Sequence, residues 1–183
     1  MTADALFSSE YDDWNTPECV LERVRHLGHI GLDPCSNAQS IVNARVEWRL
    51  ERGEDALKRS WGGFGLVFCN PPYGEGLGPF MRRMAHYATL GVQIVALIPN
   101  RTDIAAYQDN VSGVRAKCEW RGRLKHMRGV ADQRQLALLG KGESLPRVEG
   151  ETTAPFPSVV LYWGNRVPEF KAAFATAGEI WTR

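Results

Sequence analysis

The sequence predicts a doubly wound α/β fold, in which a mostly parallel sheet carries helices on both faces. Three observations lead to this prediction. Short apolar runs typical of buried strands alternate with segments typical of helices. Several of these runs stop abruptly at a proline, which lacks the N–H group that a strand needs. The length of 183 residues fits one domain with a substantial hydrophobic core.

The predicted elements follow one another in a regular order. A polar tail is expected over residues 1–13 and a single domain over residues 14–183. The first helix is predicted to have Thr16 as its N-cap and Pro17 at its first position. The predicted strands span residues 30–33, 66–69, 92–98, 117–124 and 157–163, the fourth of them near an edge of the sheet. Further helices are expected at residues 77–89, 103–110 and 168–177, and a long loop insertion at about 127–154.

Composition restricts the possible functions only moderately. The net charge is +1, so contact with a nucleic acid must come from a local basic patch. The four cysteines are widely spaced and form no C-x-x-C pair, which disfavours a disulfide framework or a zinc site and favours thiols in a reducing compartment. No signal peptide and no apolar run of membrane-spanning length is recognisable, so a cytoplasmic protein without a membrane or metal partner is expected.

The most informative motif, Asn70-Pro71-Pro72-Tyr73, directly follows the predicted strand at 66–69. Two prolines cannot continue a strand, so the chain must leave the sheet at its carboxyl edge, where open α/β sheets bind ligands. The Asn70 amide oxygen and the Pro71 carbonyl can both accept hydrogen bonds from one exocyclic amino group, and the Tyr73 ring can stack on a flat heterocycle. Asn-Pro alone is a common turn signal. The strand before it and the helix after it favour a site for a planar substrate with an NH₂ group.

Two acidic residues are candidates for contacts at the same edge. Asp33 ends a predicted strand before Pro34, and its carboxylate could accept hydrogen bonds from a cofactor or could serve as a turn residue. Asp55 either lies in another loop of this edge or belongs to a solvated acidic turn. The sequence contains no G-x-G-x-x-G phosphate loop, which argues against NAD, FAD and nucleoside triphosphates and favours a cofactor without phosphates.

A cluster of basic residues predicts contact with a phosphate backbone. Residues 117, 119, 121, 123 and 125 share one strand parity, so their side chains would lie on one face of a strand. Such a basic strip fits nucleic acid, although a solvated edge strand protected by charge has the same pattern. The candidates for DNA contacts, including two residues near the Asn70 edge, are Arg82, Arg101, Lys117, Arg121, Arg123 and Lys125.

Seven short segments together resemble a known family. In order they are WNTP (14–17), LDPCS (32–36), DAL (55–57), VFCNPPYG (67–74), LIPNRTD (97–103), RGRL (121–124) and PFPSVV (155–160). This ordered set is similar to the phage-type DNA N6-adenine methyltransferases, the Dam-like family common in phages and prophages. It covers most of residues 14–164 and is far more specific than Asn-Pro-Pro-Tyr alone, which several amino-group methyltransferases share.

The resemblance implies a Rossmann-like class I methyltransferase fold with about seven strands and S-adenosylmethionine as the methyl donor. Asn70, Pro71, Pro72 and Tyr73 match the catalytic motif of the family. The residues that match its cofactor-binding positions are Trp14, Thr16, Pro17, Asp33, Cys35, Ser36 and Asp55, the last as the acid that holds the cofactor's adenine amino group. The segment 33–36 lacks the small residues and glycines that usually follow the first strand, so its methionine pocket departs from the general pattern.

The implied reaction is methyl transfer to N6 of an adenine in DNA, by a monomer, with the target base flipped into the Asn70–Tyr73 pocket and S-adenosylhomocysteine as product. Two other readings stay open. One is an amino-group methyltransferase that acts on cytosine N4, ribosomal RNA or protein glutamine. The other is a non-catalytic DNA-binding or cofactor-sensing module. The loop insertion is the only segment large enough to read bases, so short or relaxed sequence specificity is expected.

Overall fold

The structure, a computed structural model, describes residues 14–128 and 151–183. Within these residues the chain forms ten strands and four α-helices. In chain order they are β1 (Trp14–Asn15), α1 (Glu18–Arg25), β2 (Ile30–Asp33), β3 (Val46–Glu47), β4 (Leu66–Cys69), α2 (Leu77–Thr89), β5 (Gln93–Pro99), α3 (Ala105–Gln108), β6 (Ala116–Trp120), β7 (Lys125–Arg128), β8 (Glu151–Thr153), β9 (Ser158–Trp163), α4 (Val167–Phe174) and β10 (Gly178–Thr182). The tail expected at 1–13 and the middle of the expected loop at 127–154 lie outside the described residues.

Seven strands form one mixed sheet in the order β10-β6-β9-β5-β4-β2-β3. Strands β2, β3, β4 and β5 are parallel to one another. Strand β9 runs antiparallel between β5 and β6, so β6 points in the same direction as β5. With β10 antiparallel at the edge, five of the seven strands share one direction. The predicted α/β fold with a mostly parallel sheet is confirmed.

The sheet is covered on both faces because its central strands are apolar on both sides. Every residue of β4 and β9 is buried, as is every residue of β5 after the first. Alternate side chains of β4 therefore enter two separate hydrophobic clusters. Val67 packs in one cluster with Met81 of α2, and Phe68 packs in the other with Leu21 of α1 and Phe170 of α4. These two clusters hold the carboxyl edge of the strands in place.

The loop between β3 and β4 is fixed by a buried tryptophan. Trp61 is fully buried, donates its indole N–H to the Ala56 carbonyl at 2.9 Å and stacks on Tyr87 of α2 with ring centroids 5.8 Å apart. Farther along the loop, the chain passes so close to β2 that a Cβ atom on Gly31 would lie 1.7 Å from the Phe64 carbonyl oxygen. Both contacts position the segment that carries Asp55.

The basic strip predicted for one strand is wrong in its geometry. Strand β6 ends at Trp120, and Gly122 follows with a φ of 77°, a left-handed conformation that glycine adopts readily. The chain turns there and enters β7, which belongs to a separate small sheet in the order β1-β7-β8. Moreover, β6 is paired on both sides, so it is not an edge strand. The residues from 117 to 125 therefore do not share one face.

The ends of the expected loop and the start of α1 differ from the prediction. The loop expected at 127–154 begins and ends in strand, because the end of β7 pairs antiparallel with β8. Helix α1 has Pro17, not Thr16, at its N-cap position, where the Pro17 carbonyl accepts the Val20 N–H at 3.0 Å. Among the helices that the structure describes, none combines the length and apolar composition that crossing a bilayer requires.

Candidate active site

The carboxyl edge of the parallel strands contains a cavity of about 300 Å³. Such an edge, where the strand order of an open α/β sheet reverses, is the usual ligand site. Strands β2 and β4 are neighbours, so the loops that follow Asp33 and Cys69 meet there. The cavity is lined mainly by residues 34–37, 54–57 and 70–73. The fold thus brings together the predicted cofactor loop, the Asp55 loop and the predicted catalytic motif.

The side-chain amide of Asn70 is held from both ends. Its Nδ2 atom donates to Oγ1 of Thr16 at 3.2 Å, and its Oδ1 atom accepts a hydrogen bond from the Tyr73 hydroxyl at 2.7 Å. Thr16 is buried, and both contacts are partly shielded from solvent. A hydrogen-bonded network of this kind restricts rotation of the amide. Asn70 therefore presents its oxygen on the side of the cavity where Tyr73 lies.

Tyr73 is oriented by a second aromatic ring. Burial, with a smaller effect of Cys69, raises the pKa of the Tyr73 phenol far above its ordinary value, so the hydroxyl stays protonated and acts as a donor. The ring lies edge-on to Phe156, with centroids 5.2 Å apart and an interplanar angle of 87°. Such T-shaped contacts stabilise aromatic pairs by about 0.5–1.5 kcal/mol beyond area burial. Sequence reasoning assigned no role to Phe156, because it did not foresee that antiparallel β9 starts at the carboxyl edge.

Asp33 is a buried carboxyl group at the end of β2. It is 3% exposed and accepts the Cys35 backbone N–H at 3.0 Å. Burial raises its pKa from 3.8 to about 7; the Cys35 hydrogen bond lowers it in part, and nearby Glu47 raises it further. An acid with a raised pKa at a ligand-binding edge is typical of a functional site.

Glu47 adds a second carboxylate that sequence reasoning missed. It ends β3, next to Asp33 at the end of β2. The Ser36 hydroxyl donates to Glu47 Oε2 at 3.1 Å, and Arg49 forms an ion pair with the same oxygen at 3.3 Å. Strand β3 has only two residues, too few to show a hydrophobic pattern, so no sequence signal marked its end. Ser36 and Glu47 together offer polar atoms beside Asp33.

The N-terminal segment closes one side of this edge. Asn15 accepts a hydrogen bond from Nδ2 of Asn37 at 2.9 Å, which ties β1 to the loop after Asp33. Thr16 contacts Asn70 as described, and Pro17 is buried at the start of α1. Trp14 lies in β1 and pairs with Arg128 of β7. Thr16, which was predicted to bind the cofactor, therefore contacts the predicted catalytic motif directly.

Asp55 lines the cavity and also stabilises its own turn. Its carboxylate accepts the Leu57 N–H at 3.0 Å and forms an ion pair with Lys58 at 3.0 Å. Lys58, followed by the Leu57 N–H, lowers the pKa of Asp55 below its ordinary value. The group is therefore a charged acceptor at neutral pH, on the rim rather than at the base of the cavity.

The predicted DNA-contact residues fall into three groups. Arg121 and Arg123 are exposed in the turn after β6, and Lys125 is exposed at the start of β7. Arg82 is exposed in α2, and Arg101 follows β5 in a two-point contact with Asp103 at 2.9 Å. Lys117 differs from the rest. It forms an ion pair with Glu119 at 2.8 Å and lines a second cavity of about 420 Å³ that shares no residue with the first.

Among the buried polar atoms that lack a hydrogen-bond partner in the part of the chain that the structure describes, two lie where β5 ends and β9 begins. They are Oδ1 of Asn100, just after β5, and Oγ of Ser158, the first residue of β9. The two residues are neighbours, because Asn100 donates its backbone N–H to the Pro157 carbonyl at 2.8 Å. Buried polar atoms normally have partners. Their location beside the edge makes them candidates for contacts with a bound substrate.

Comparison with known proteins adds one finding. A family model described as DNA N-6-adenine-methyltransferase (Dam) matches residues 4–137, which is well over half of the chain. The match includes Asp33, Asp55 and the segment from Asn70 to Tyr73. No curated protein matches the chain. The chain therefore belongs to the DNA N-6-adenine-methyltransferase (Dam) family and is an enzyme that methylates adenine in DNA.

Proposed function

We propose that the enzyme transfers a methyl group from S-adenosylmethionine to N6 of an adenine that has left the DNA helix and entered the cavity beside Asn70-Pro71-Pro72-Tyr73. One observation carries this proposal. The amide of Asn70 is held by Thr16 and Tyr73 in the wall of a cavity that the loop after Asp33 also lines. The loop proposed for the donor and the amide proposed for the amino group therefore face the same cavity.

The residues of the cavity suit S-adenosylmethionine, the methyl donor of this family. When bound, the donor supplies a methyl group activated by a positively charged sulfur. Ser36 lines the cavity, and Asp33 and Glu47, which lie next to it, would hold positively charged or hydroxyl groups of the donor. Asp55 would accept from an amino group at the rim. A nearby cation favours the ionised form of Asp33, so donor binding and loss of its proton are expected to occur together.

Asn70 and Pro71 would prepare the acceptor nitrogen. Adenine N6 is a weak nucleophile because its lone pair is delocalised into the ring. The Asn70 Oδ1 atom and the Pro71 carbonyl would accept the two N6 hydrogens and favour a tetrahedral nitrogen whose lone pair is available. The catalytic effect is mainly positioning plus electrostatic stabilisation, since the protein forms no covalent bond to the base.

Tyr73 would exchange one partner for another when the base enters. Its hydroxyl contacts Asn70 Oδ1, the atom assigned to the substrate, so the base has to share or replace this contact. Losing one hydrogen bond costs about 1 kcal/mol. Stacking of the base on an aromatic ring contributes about 1–3 kcal/mol. That gain offsets part of the few kcal/mol that base flipping costs.

The exposed basic residues of the turn after β6 would hold the DNA backbone. Since β6 points in the same direction as β4, Arg121 and Arg123 follow it at the same edge of the sheet as Asn70. Arg82 and Arg101 add charge nearer the motif, although Asp103 neutralises part of Arg101. Lys117 contributes least, because Glu119 neutralises it. We place the enzyme in the cytoplasm with its DNA, as a monomer.

The Asn70→Ala variant tests the proposal. Methyl transfer from radiolabelled S-adenosylmethionine to duplex DNA should fall by about 10²–10³-fold, the usual effect of removing one oriented hydrogen-bonding group from a transition state. Donor affinity, measured by calorimetry, should stay close to that of the unaltered enzyme. Asn165→Ala, which alters an exposed asparagine outside the cavity, is the matched control and should keep full activity.

Mass analysis of nucleosides from the methylated DNA identifies the product. N6-methyladenine is expected. Methylated cytosine, or label found only in RNA or protein, would assign the enzyme to another substrate. Substantial activity of Asn70→Ala would remove Asn70 from its assigned role.

A further inference from the structure

The fold brings two of the four cysteines together inside the candidate active site. Cys35 and Cys69 are 34 positions apart in the sequence, and their Sγ atoms are 3.7 Å apart. Cys69 is the last residue of β4, directly before Asn70, and Cys35 lies two positions after Asp33. The two thiols therefore connect the loop assigned to the donor with the motif assigned to catalysis.

One of the two thiols can be reached from the cavity. Cys35 is partly exposed and lines the cavity, whereas Cys69 is fully buried behind it. A disulfide needs a sulfur–sulfur distance of about 2.05 Å, so the two atoms would have to approach by about 1.6 Å. Cys69 ends β4, and Cys35 lies in the turn that directly follows β2, the neighbouring strand of β4 in the sheet. The bond therefore requires a small local movement and no change of fold.

We propose that Cys35 and Cys69 form a dithiol site that a peroxide oxidises reversibly to a disulfide, which switches the active site off. The peroxide oxidises the accessible Cys35 to a sulfenic acid and is itself reduced to water. The Cys69 sulfur then attacks the Cys35 sulfur, the S–S bond forms, and the hydroxyl group leaves with the Cys69 proton as a second water. Two thiols and one hydrogen peroxide give one disulfide and two waters.

The two steps differ in speed. Burial raises the pKa of the Cys35 thiol well above its ordinary value, with contributions from Cys69 and Asp33, so little reactive thiolate is present and the first step is slow. The second step is fast by comparison, because the Cys69 sulfur is already in contact. The other two cysteines have no such arrangement. Cys19 is exposed on α1, and Cys118 lies in the hydrophobic cluster on the opposite face of the sheet from Cys69.

The disulfide would disturb both halves of the site. Asn70 directly follows Cys69, so drawing the sulfurs together moves the amide that Thr16 and Tyr73 hold. A misplacement of about 1 Å can reduce a reaction rate by about 100-fold. This consequence for methyl transfer rests on the function proposed above, whereas formation of the bond does not.

The experiment uses the full chain with Cys19→Ser, which removes the exposed thiol. The protein is treated with hydrogen peroxide, and peptide mapping by mass spectrometry looks for peptides joined through Cys35 and Cys69. Methyl transfer to DNA is measured before and after treatment. The linked peptides should appear while activity falls by about tenfold or more, and dithiothreitol should reverse both changes.

Three variants in the same background serve as comparisons, each measured against its own untreated activity. Cys35→Ser and Cys69→Ala should both resist the treatment. Two variants are used because Cys69 is fully buried, so that its replacement can also affect folding. Cys118→Ser should be inactivated like the parent protein. Absence of the linked peptides, or equal inactivation of the Cys35→Ser variant, would overturn the proposal. So would inactivation that dithiothreitol does not reverse, since it indicates oxidation beyond the disulfide. Linked peptides in a protein that methylates no DNA would support the dithiol site and refute the proposed function.

Discussion

At the scale of single residues, the hydrogen bond from Tyr73 to Asn70 gives the free enzyme a defined resting arrangement. The phenol occupies the amide oxygen assigned to the substrate, and Phe156 supports the ring from the side. In the proposed reaction Tyr73 would therefore have two separable functions, one through its hydroxyl and one through its ring. The hydroxyl would oppose admission of the base, and the ring would promote it.

Two variants of Tyr73 separate these functions. Tyr73→Phe keeps the ring and removes the contact with Asn70, so the KM for duplex DNA should fall or stay the same, by at most about fivefold for one hydrogen bond. Tyr73→Ala removes the ring, and use of duplex DNA should weaken by about 5–150-fold, corresponding to about 1–3 kcal/mol of stacking. Donor affinity should change little in both. Steady-state kinetics on duplex DNA and calorimetry with the donor provide the measurements, and an unchanged rate for Tyr73→Ala would exclude stacking.

Asp33 shows how a buried acidic group can reduce stability. In the folded protein the pKa of Asp33 is about 7, above its ordinary value of 3.8. The folded state therefore binds this proton more tightly than the unfolded state does. The stability that the neutral carboxyl group provides is fully present below about pH 4. It is lost as the pH rises through about 7.

Replacing Asp33 with Asn should therefore stabilise the protein at alkaline pH and weaken donor binding. Relative to the unaltered protein, the free energy of unfolding of Asp33→Asn should increase between about pH 4 and pH 7 and level off above, by an amount on the order of a few kcal/mol. Urea unfolding at several pH values measures the change. Asp109→Asn, at an exposed aspartate, is the control and should show no such increase. A stability difference that does not depend on pH would contradict the buried-acid account.

At the scale of elements, the turn between β6 and β7 separates the basic residues that the sequence placed on one strand. The sequence suggested one charged face of one strand, but Gly122 reverses the chain, and the charges are distributed over a turn and two sheets. Of the residues predicted for the strip, Arg121, Arg123 and Lys125 lie beyond Trp120 and are exposed. Lys117 remains on the face of the large sheet, ion-paired with Glu119 and with its Nζ atom 5.7 Å from the Trp181 ring centroid.

This difference gives a matched pair of tests. Replacing Arg121, Arg123 and Lys125 together with Gln should reduce the slope of log K against log salt concentration by about 2–3, close to one for each lost phosphate contact. Lys117→Gln removes one charge of the same sign and should leave the slope unchanged. Fluorescence anisotropy with labelled duplex DNA at a series of salt concentrations measures both. Equal slopes for the triple variant and the unaltered protein would exclude the turn as a DNA contact.

At the scale of the whole molecule, the sequence correctly predicted features that depend on local residue patterns, such as the positions of strands. The runs at 30–33 and 66–69 are strands with the bounds that their apolar residues and following prolines indicated. The location of the Asn-Pro-Pro-Tyr motif at a carboxyl edge followed from the same pattern. Strand direction, in contrast, depends on tertiary pairing. The antiparallel course of β9, which brings Phe156 and Ser158 to the site, had no signal in the sequence.

Short strands and long-range contacts could not be predicted from the sequence. The two-residue strand β3, and with it the role of Glu47, was too short for periodicity to reveal. The sequence predicted Thr16 as a helix cap, whereas in the structure its hydroxyl binds Asn70. This contact joins residues 54 positions apart in the sequence. The contact between Cys35 and Cys69 likewise depends on which strands become neighbours. Such contacts are properties of the assembled sheet.

The small sheet of β1, β7 and β8 has a consequence for how the two substrates influence each other. Strand β1 leads directly into Thr16, which holds Asn70, and β7 directly follows the basic turn. A displacement of the turn would be passed through the β7–β1 ladder to Thr16 and, through the hydrogen bond between Asn15 and Asn37, to the loop assigned to the donor. Thermodynamic linkage makes any such effect reciprocal, so DNA should raise donor affinity by the same factor by which the donor raises DNA affinity.

We expect a factor of about five or more, within the usual range of coupling between sites. Calorimetry with the unreactive product S-adenosylhomocysteine, in the presence and absence of DNA, measures it. Thr16→Val should reduce the factor, and equal affinities in the unaltered enzyme would show that the two sites act independently. Such coupling would give the enzyme an ordered response, in which a DNA-bound molecule captures its methyl donor more readily than a free one.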